Sequence, residues 1–348
     1  MLALVDRSRS HPLQVAIPPA WLEAHPRSVR YKHVELVIKL LPRVSRLTID
    51  TCNTYDTSRL RRMFQGRSAD QLWEFDLNTV PVLEEEFTLY APRLRFLSLA
   101  CVESPVCPLS ENLTHIRLDS SLDVEALESG LKNSPRLEEI SINWVRRLVR
   151  PRSKISLLPR VRLIITDSHN VVVSLFALGS TNYLSLMTIA VQSGLPTSPF
   201  LKLALPRDIS CLRNLDNLTV VQLRLTDTGG APRTITVDLK CSTADRETLH
   251  VEFLLIRSYS PDPMEMEIVP ERPPAMRVLG CLRPLDLGKV VELRMEGFVG
   301  EWGLQRFELE HFLKQMPALR RIVTGDDNKA GFSCALGVLG YNVVVEGI

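Results

Sequence analysis

Paired cysteines are missing from this chain. Seven cysteines stand at positions 52, 101, 107, 211, 241, 281 and 334, an odd number at wide spacings with no C-x-x-C pair. That pattern argues against a disulfide framework and against a zinc site. It leaves buried, reduced thiols of an intracellular protein as the expectation. Long apolar runs are missing too. The richest, Val171 to Leu178, is strand-length and broken by Ser174, far short of the ~18 residues that mark a membrane-spanning helix. The opening Met1-Leu2-Ala3-Leu4-Val5-Asp6-Arg7 is too short an apolar run for a secretory signal. Excess charge of either sign is also absent: the formal net charge is +2, which gives no electrostatic reason to expect a nucleic-acid or membrane partner. The expected location is the cytoplasm or nucleus. Asn112-Leu113-Thr114 and Asn217-Leu218-Thr219 fit the glycosylation pattern, but without a secretory signal they read as polar starts of strands.

Signatures of chemistry are equally scarce. There is no G-x-x-x-x-G-K-[ST] and no G-x-G-x-x-G. Gly297, Gly300 and Gly303 follow an apolar segment ending at Met295 and read as loop glycines rather than a phosphate cradle. Gly331-Phe332-Ser333-Cys334-Ala335 loosely resembles a nucleophile elbow, but its second Gly is Ala. The last histidine, His311, lies upstream, against the usual hydrolase order, so the segment reads as a surface turn before the final strand. Histidines at 11, 25, 33, 115, 169, 250 and 311 lie too far apart for an H-E-x-x-H site. Glu84-Glu85-Glu86 reads as a helix start, where carboxylates favour the macrodipole. Arg146, Arg147, Arg150, Arg152 and Lys154 form the densest basic cluster and read as a solvated loop between strands. They lack the interleaved aromatics of a single-stranded nucleic-acid site. No catalytic residue, metal site or cofactor is therefore expected.

What the chain does have is a repeat. L-x-x-L-x-L, with other apolar residues allowed, occurs as Val44/Leu47/Ile49, Leu72/Phe75/Leu77, Leu94/Leu97/Leu99, Leu113/Ile116/Leu118 and Leu137/Ile140/Ile142. Weaker copies are Val161/Ile164 and Leu184/Met187/Ile189. Clear ones return at Leu218/Val221/Leu223, Val290/Leu293/Met295 and Leu319/Ile322. The spacing is mostly about 19 to 30 residues, the range of leucine-rich repeats and its near margin. The last two apolar residues of each copy are two apart, so they share one face of a strand, and the first anchors the turn before it. Stacked copies would pair into a parallel sheet over a continuous apolar column.

Helical spacing appears between the copies. Leu122 to Leu131, with Ser120 and Asp123 as a candidate capping box, ends at Pro135. Phe307 to Met316 ends at Pro317, and His33 to Leu41 ends at Pro42. Helix, proline-bearing turn and strand thus form one repeating unit. Residues 226 to 275 depart from it. Thr234 to Lys240 and Thr248 to Ile256 read as two strands, as a hairpin insertion or degenerate repeats. Ser258 to Pro274, with five prolines, reads as a loop. The expected architecture is α/β: one irregular leucine-rich-repeat solenoid over residues 1–348 with an excursion at about 226–275. Its parallel sheet would line the concave face, with helices or irregular turns on the convex face.

Three stretches carry a family resemblance: Ala91-Pro-Arg-Leu-Arg-Phe-Leu-Ser-Leu99, Pro108-Leu-Ser-Glu-Asn-Leu-Thr-His-Ile-Arg-Leu118 and Leu131-Lys-Asn-Ser-Pro-Arg-Leu-Glu-Glu-Ile140. They resemble the F-box and leucine-rich-repeat proteins of mushroom-forming fungi, and Arg7 to Ile17 looks like the segment that follows the F-box there. The likeness spans most of the chain and is clearest over residues 7–145. It implies a repeat region that recruits a target, carried by an F-box that docks on the Skp1 adaptor of a cullin ubiquitin ligase. The F-box itself is not legible in this chain, so Skp1 and cullin are expected partners only of a gene product that carries it.

The outward positions of the repeat supply the expected binding row: Arg46, Thr48, Trp73, Glu74, Asp76, Phe96, Ser98, His115, Arg117, Glu139, Ser141, Gln222, Glu292 and Arg294. Trp73, Phe96 and the arginines are of the types enriched at binding hot spots; the alternative for the two aromatics is that they cover the sheet locally. The functional expectation is a non-enzymatic protein-binding scaffold with an unidentified protein partner. Two alternatives stand beside it: a hydrolase hidden in residues 226–348, and a degenerate family member without a retained partner.

Overall fold

The computed structural model describes residues 11–17, 35–50, 64–83, 89–102, 110–122, 127–128, 131–148, 154–166, 175–178, 181–190, 212–227, 233–257, 282, 284–298 and 306–347. Contacts divide the chain into two compact units, Met1–Ile164 and Ile165–Ile348. Strands dominate both, most of them parallel, with few helices, which is compatible with the α/β class.

In the first unit the sheet strands are β1 (Leu13–Ile17), β2 (Val44–Asp50), β3 (Glu74–Leu83), β4 (Phe96–Val102), β5 (His115–Leu122), β6 (Glu139–Leu148) and β7 (Arg162–Ile165). They lie side by side in chain order, and β1 to β6 are parallel. The apolar repeat explains this order. Leu47, Phe75, Leu97, Ile116 and Ile140 stand in register across β2 to β6, and Ile49, Leu77, Leu99, Leu118 and Ile142 form the next row. All ten side chains are buried. Each fully buried side chain of this kind contributes roughly 1.5–3 kcal/mol, and a register slip of one residue would turn a strand's whole set to solvent.

The first apolar residue of each copy closes a tight turn. The Leu72 N–H donates to Ala69 O at 3.0 Å, Leu94 to Ala91 at 3.1 Å, Leu113 to Ser110 at 2.9 Å, Leu137 to Ser134 at 3.1 Å and Val161 to Leu158 at 3.0 Å. Pro92, Pro135 and Pro159 occupy the second position of three of these turns, where a fixed φ and a missing N–H suit the geometry. The residue just before the apolar one reaches back to the preceding turn. Arg93 Nη1 donates to Gln71 Oε1 at 2.9 Å, Asn112 Nδ2 to Pro92 O at 2.8 Å, and Arg136 Nη1 to Asn112 Oδ1 at 2.8 Å. Arg160 continues the ladder onto Pro135 O and Leu137 O. The helical expectations hold where the chain is described: residues 35–40 are helical, then Leu41–Arg43 forms a 3-10 turn with Pro42. Residues 127–128 and 131–132 are also helical, and Glu128 and Lys132 pair at 3.2 Å.

The second unit contains β8 (Tyr183–Ala190), β9 (Val220–Asp227), β10 (Arg233–Ser242), β11 (Glu247–Arg257), β12 (Glu292–Glu296), β13 (Arg321–Thr324) and β14 (Val344–Gly347). Their spatial order is β8-β11-β10-β9-β12-β13-β14. The two strands expected between 234 and 256 are β10 and β11. They form an antiparallel hairpin, and β10 is also antiparallel to β9. The hairpin therefore sits within the sheet, filling the places between β8 and β9, and β11 runs parallel to β8. Cys241, Val221, Leu293 and Ile322 form one buried row, and Leu239, Leu223, Met295 and Thr324 the next. Helix α1 (Arg306–Leu313) overlaps the expected Phe307–Met316 segment and begins one residue before it. Gly297 has φ 79°, and a Cβ there would come within 2.0 Å of Leu225 O, so the end of β12 admits only glycine.

Several sequence expectations are corrected. Val161, just before β7, and Leu163 and Ile165 within it are buried, so Ile164 is not part of the buried set. In β8 Leu184 is buried, as expected, and so is Leu186, which lies outside the expected copy. Ser120 does not cap a helix, because it lies in β5 and pairs with Val145. Arg146 and Arg147 belong to the extended end of β6 rather than to a loop. Gly331 to Ala335 is not a turn: it lies inside helix α2 (Asp326–Leu339), where Phe332, Ala335 and Leu336 are buried and Ser333 Oγ donates to Lys329 O at 2.9 Å. That helix ends on Gly340 in the left-handed conformation, φ 67°. Cys241 is buried, as expected, and Cys334 is exposed. Glu84 to Glu86 and the proline-rich 258–274 segment lie outside the described residues.

Two stability measurements test this core. Phe75→Ala is expected to cost about 3–5 kcal/mol in urea unfolding, because Phe75 is fully buried and rests against Phe64 at a centroid distance of 5.7 Å. Thr324→Val is expected to raise stability by about 1 kcal/mol or more, because the buried Thr324 Oγ1 has no hydrogen-bond partner among the described residues. A destabilised valine variant would show that the hydroxyl is satisfied after all.

Candidate functional site

Strand alternation turns the residues between the buried positions to the opposite face of each sheet. In the first unit this brings the sequence-derived residues into rows. Arg46, Glu74, Phe96, His115 and Glu139 stand opposite one another on β2 to β6, and Thr48, Asp76, Ser98, Arg117 and Ser141 form the next row. Trp73 precedes the first row. Its N–H donates to Ser45 O, and its carbonyl accepts from the N–H groups of Arg95 and Phe96.

The first row has an aromatic centre. Trp73 meets Phe96 edge to face, with centroids 5.7 Å apart and planes at 81°. Phe96 stacks on the His115 imidazole at 4.5 Å and 21°. Both Trp73 and Phe96 remain 37% exposed, so each is held by its neighbour while offering an edge to solvent. His115 Nδ1 lies 2.9 Å from Thr114 Oγ1, which fixes the ring orientation. At one end of the row Arg46 Nη2 pairs with Glu74 Oε1 at 2.8 Å.

A third row lies beyond the sequence-derived pair: Asp50, Asn78, Ala100, Asp119 and Asn143. Together with the second row it lines a cleft of ≈ 180 Å³ bounded by Thr48, Asp50, Asp76, Asn78, Ser98, Arg117 and Asp119. Asn78 Nδ2 donates to Asp50 Oδ1 at 3.1 Å, and Arg117 Nε lies 3.4 Å from Asp119 Oδ2. The Asp50 carboxyl is pushed above its ordinary range, first by burial and then by the nearby Asp76 charge. The repeat motif as read ends at its third apolar residue, which is why this row was missed. The signal was present one residue further on, where Asp50, Asn78, Asp119 and Asn143 follow that residue directly.

Gln222, Glu292 and Arg294 fall on the second unit. Gln222 and Arg294 are register partners, whereas Glu292 stands opposite Val220 and Arg321, one row earlier. Charges here are cross-linked within the sheet: Arg224 Nε lies 2.7 Å from Glu296 Oε2, Arg321 Nη2 lies 2.6 Å from Glu346 Oε2, and Glu292 contacts both Arg294 and Arg321. The hydrogen bond from Arg321 holds the Glu346 carboxyl below its ordinary range. His250 Nε2 lies 2.5 Å from Asp238 Oδ1, and Ser185 is the register partner of His250. Tyr183 Oη donates to Glu247 Oε1 at 2.9 Å. Burial, and secondarily Glu247, pushes the Cys241 thiol up, away from reactivity.

Among the described residues, no group of three or more His, Cys, Asp or Glu side chains is placed to hold a metal ion. No helix there is long and apolar enough to cross a membrane. No family model, curated protein or solved structure matches this chain.

The raised pKa of Asp50 sets a pH test. A carboxyl raised in the folded state takes up its proton more readily there than when unfolded, so its contribution opposes folding at neutral pH and fades as pH falls through the raised value. Asp50→Asn is therefore expected to be more stable than the parent at pH 7, with the gap closing as pH approaches 3.8, the ordinary value. Paired urea titrations across that range check the sign. A gap that widens on acidification would mean that Asp50 is stabilised as the anion.

Proposed function

We propose that this chain is a non-enzymatic protein-binding scaffold whose strands are units of an irregular leucine-rich-repeat solenoid. On this reading it is related to the substrate-recruiting repeat regions of F-box ubiquitin-ligase adaptors. The observation that carries the proposal is the open face of the first unit. Its parallel strands repeat one buried pattern at one register, and the residues they turn outward form a ready-made polar row around a partly exposed Trp73–Phe96–His115 cluster. Aromatic side chains held rigid but not covered lose little entropy on binding and are common anchors of protein interfaces. The tight-turn phrase Ala91-Pro92-Arg93-Leu94 and its relatives, which carry the family resemblance, coincide with the turns that begin each strand.

A hydrolase would draw on the Asp238–His250 pair with Ser185 beside it. Three features weigh against it. Among the described residues no hydrogen bond joins Ser185 to His250. The strands around them spend their N–H groups in the sheet ladder, leaving none to stabilise an oxyanion. His250 also engages Asp238 through Nε2, the nitrogen that takes the nucleophile's proton in the usual triad.

The test is affinity purification of the full chain from its native cells beside a Trp73→Ala/Phe96→Ala variant, with mass spectrometry of what co-purifies. At least one protein is expected to be recovered with the parent and depleted roughly tenfold or more with the variant, the scale of losing interface hot spots. Recovery of Skp1 and cullin would join the scaffold to ubiquitin transfer; a different partner would leave a scaffold alone. Identical recoveries from both forms would remove the open face from consideration.

A further inference from the structure

The open face of the first unit is acidic although the chain as a whole carries a formal charge of +2. In the three rows of β2 to β6, Glu74, Glu139, Asp76, Asp50 and Asp119 stand against Arg46 and Arg117, with exposed Arg95 ahead of the first row and exposed Arg162 on β7 beside it. Arg46 is already engaged with Glu74, and Arg117 with one oxygen of Asp119. Among the described residues the other oxygen, Asp119 Oδ1, is buried without a partner, and Asp76 makes no hydrogen bond or ion pair. Asp50 receives one hydrogen bond, from the neutral amide of Asn78. Asp50, Asp76 and Asp119 line the cleft of ≈ 180 Å³, which has room for more than one water molecule. They are not grouped to hold a metal ion. An ammonium or guanidinium, whose several N–H groups spread over separated acceptors, suits them better.

The aromatic shelf adjoins this cleft on the same strand. Phe96 and Ser98 are two residues apart and turn to the same side, about 7 Å along β4. A neighbouring side chain of a bound segment would thus rest on Phe96 and Trp73 while a cation entered the cleft. Strand addition is not available over this face, because the backbone groups of β2 to β6 are spent on each other, so recognition must pass through side chains.

We infer that the face binds a basic segment of a partner protein, with a Lys or Arg side chain seated among Asp50, Asp76 and Asp119 and an adjacent aromatic or aliphatic side chain on the Trp73–Phe96 shelf. This rests on the scaffold reading above and adds the chemistry of the partner. The incoming cation neutralises a cluster of like charges that the free protein holds against their own repulsion.

The test is selection of a random displayed peptide library on the folded full chain, followed by fluorescence anisotropy of the enriched peptides. Enriched sequences should place Lys or Arg next to Trp, Tyr, Phe or Leu. Asp76→Asn and Asp50→Asn should each weaken binding at least about fivefold, and replacing the basic residue of the peptide by Glu should abolish it. Thermal melts of the two amide variants, expected at or above the parent, separate lost binding from lost folding. Peptides enriched without a basic residue, or an affinity indifferent to both amide variants, would overturn the inference while leaving the scaffold reading intact. A library yielding no binder to the parent chain would count against both.

Discussion

Each of the strands β2 to β6 has one apolar face, and that face is buried only if the neighbouring strand brings its own apolar residues to the same height. This in-register burial of Leu47, Phe75, Leu97, Ile116 and Ile140, and of the row beside them, is the constraint on which the rest depends. It makes the strands parallel and sequential, because each copy of the motif leads with the same turn and enters the sheet in the same direction. It also fixes the outward rows, since side chains that alternate with a registered core are registered themselves.

The turns convert sequence spacing into spatial spacing. A buried residue, often a proline, a polar residue and then the first apolar anchor recur ahead of the strands, and the polar residue reaches back to the turn before it. The two arginine bonds are exposed and the Asn112 bond is half-buried, so each adds little to stability. Their value is geometric: they tie each turn to its predecessor, so neighbouring outward residues stay close enough to act together. Trp73, Phe96 and His115 belong to three different turn-and-strand copies and still touch.

The second unit obeys the same burial rule with a different path. Its hairpin, β10 and β11, reverses direction and is accommodated inside the sheet because its alternating apolar residues, Val237, Leu239, Leu249 and Val251, match the buried rows on either side. Its outward face differs in kind. Opposite charges there are largely paired across strands, as in Arg224 with Glu296 and Arg321 with Glu346. Among its described residues the first unit keeps unpaired carboxylates and a partly exposed aromatic cluster. Fully paired charge is satisfied locally and asks for no ligand, whereas carboxylates without cations favour an incoming one.

Local pattern determined much of this from the amino-acid order alone: the apolar triplets, the proline-bearing turns, the helical segments before Pro42 and Pro317, the two strands between 234 and 256, and the outward row from Arg46 to Ser141. These are legible because period-two alternation and turn chemistry act within a few residues. Where the local signal was ambiguous it misled. Val161 to Ile165 can be read in two frames, and neighbouring rows select the one that buries Leu163. Gly331 to Ala335 looks like a turn until packing of Phe332 and Leu336 against the rest of the unit makes it helical. Only the tertiary structure decided which outward residues meet: the stack of Phe96 on His115, the third row from Asp50 to Asn143, the convergence of Asp50, Asp76 and Asp119 on one cleft, and the place of the hairpin between β8 and β9. Each of these depends on contacts between residues far apart in the chain, and no local periodicity encodes the distance between strands that have not yet paired.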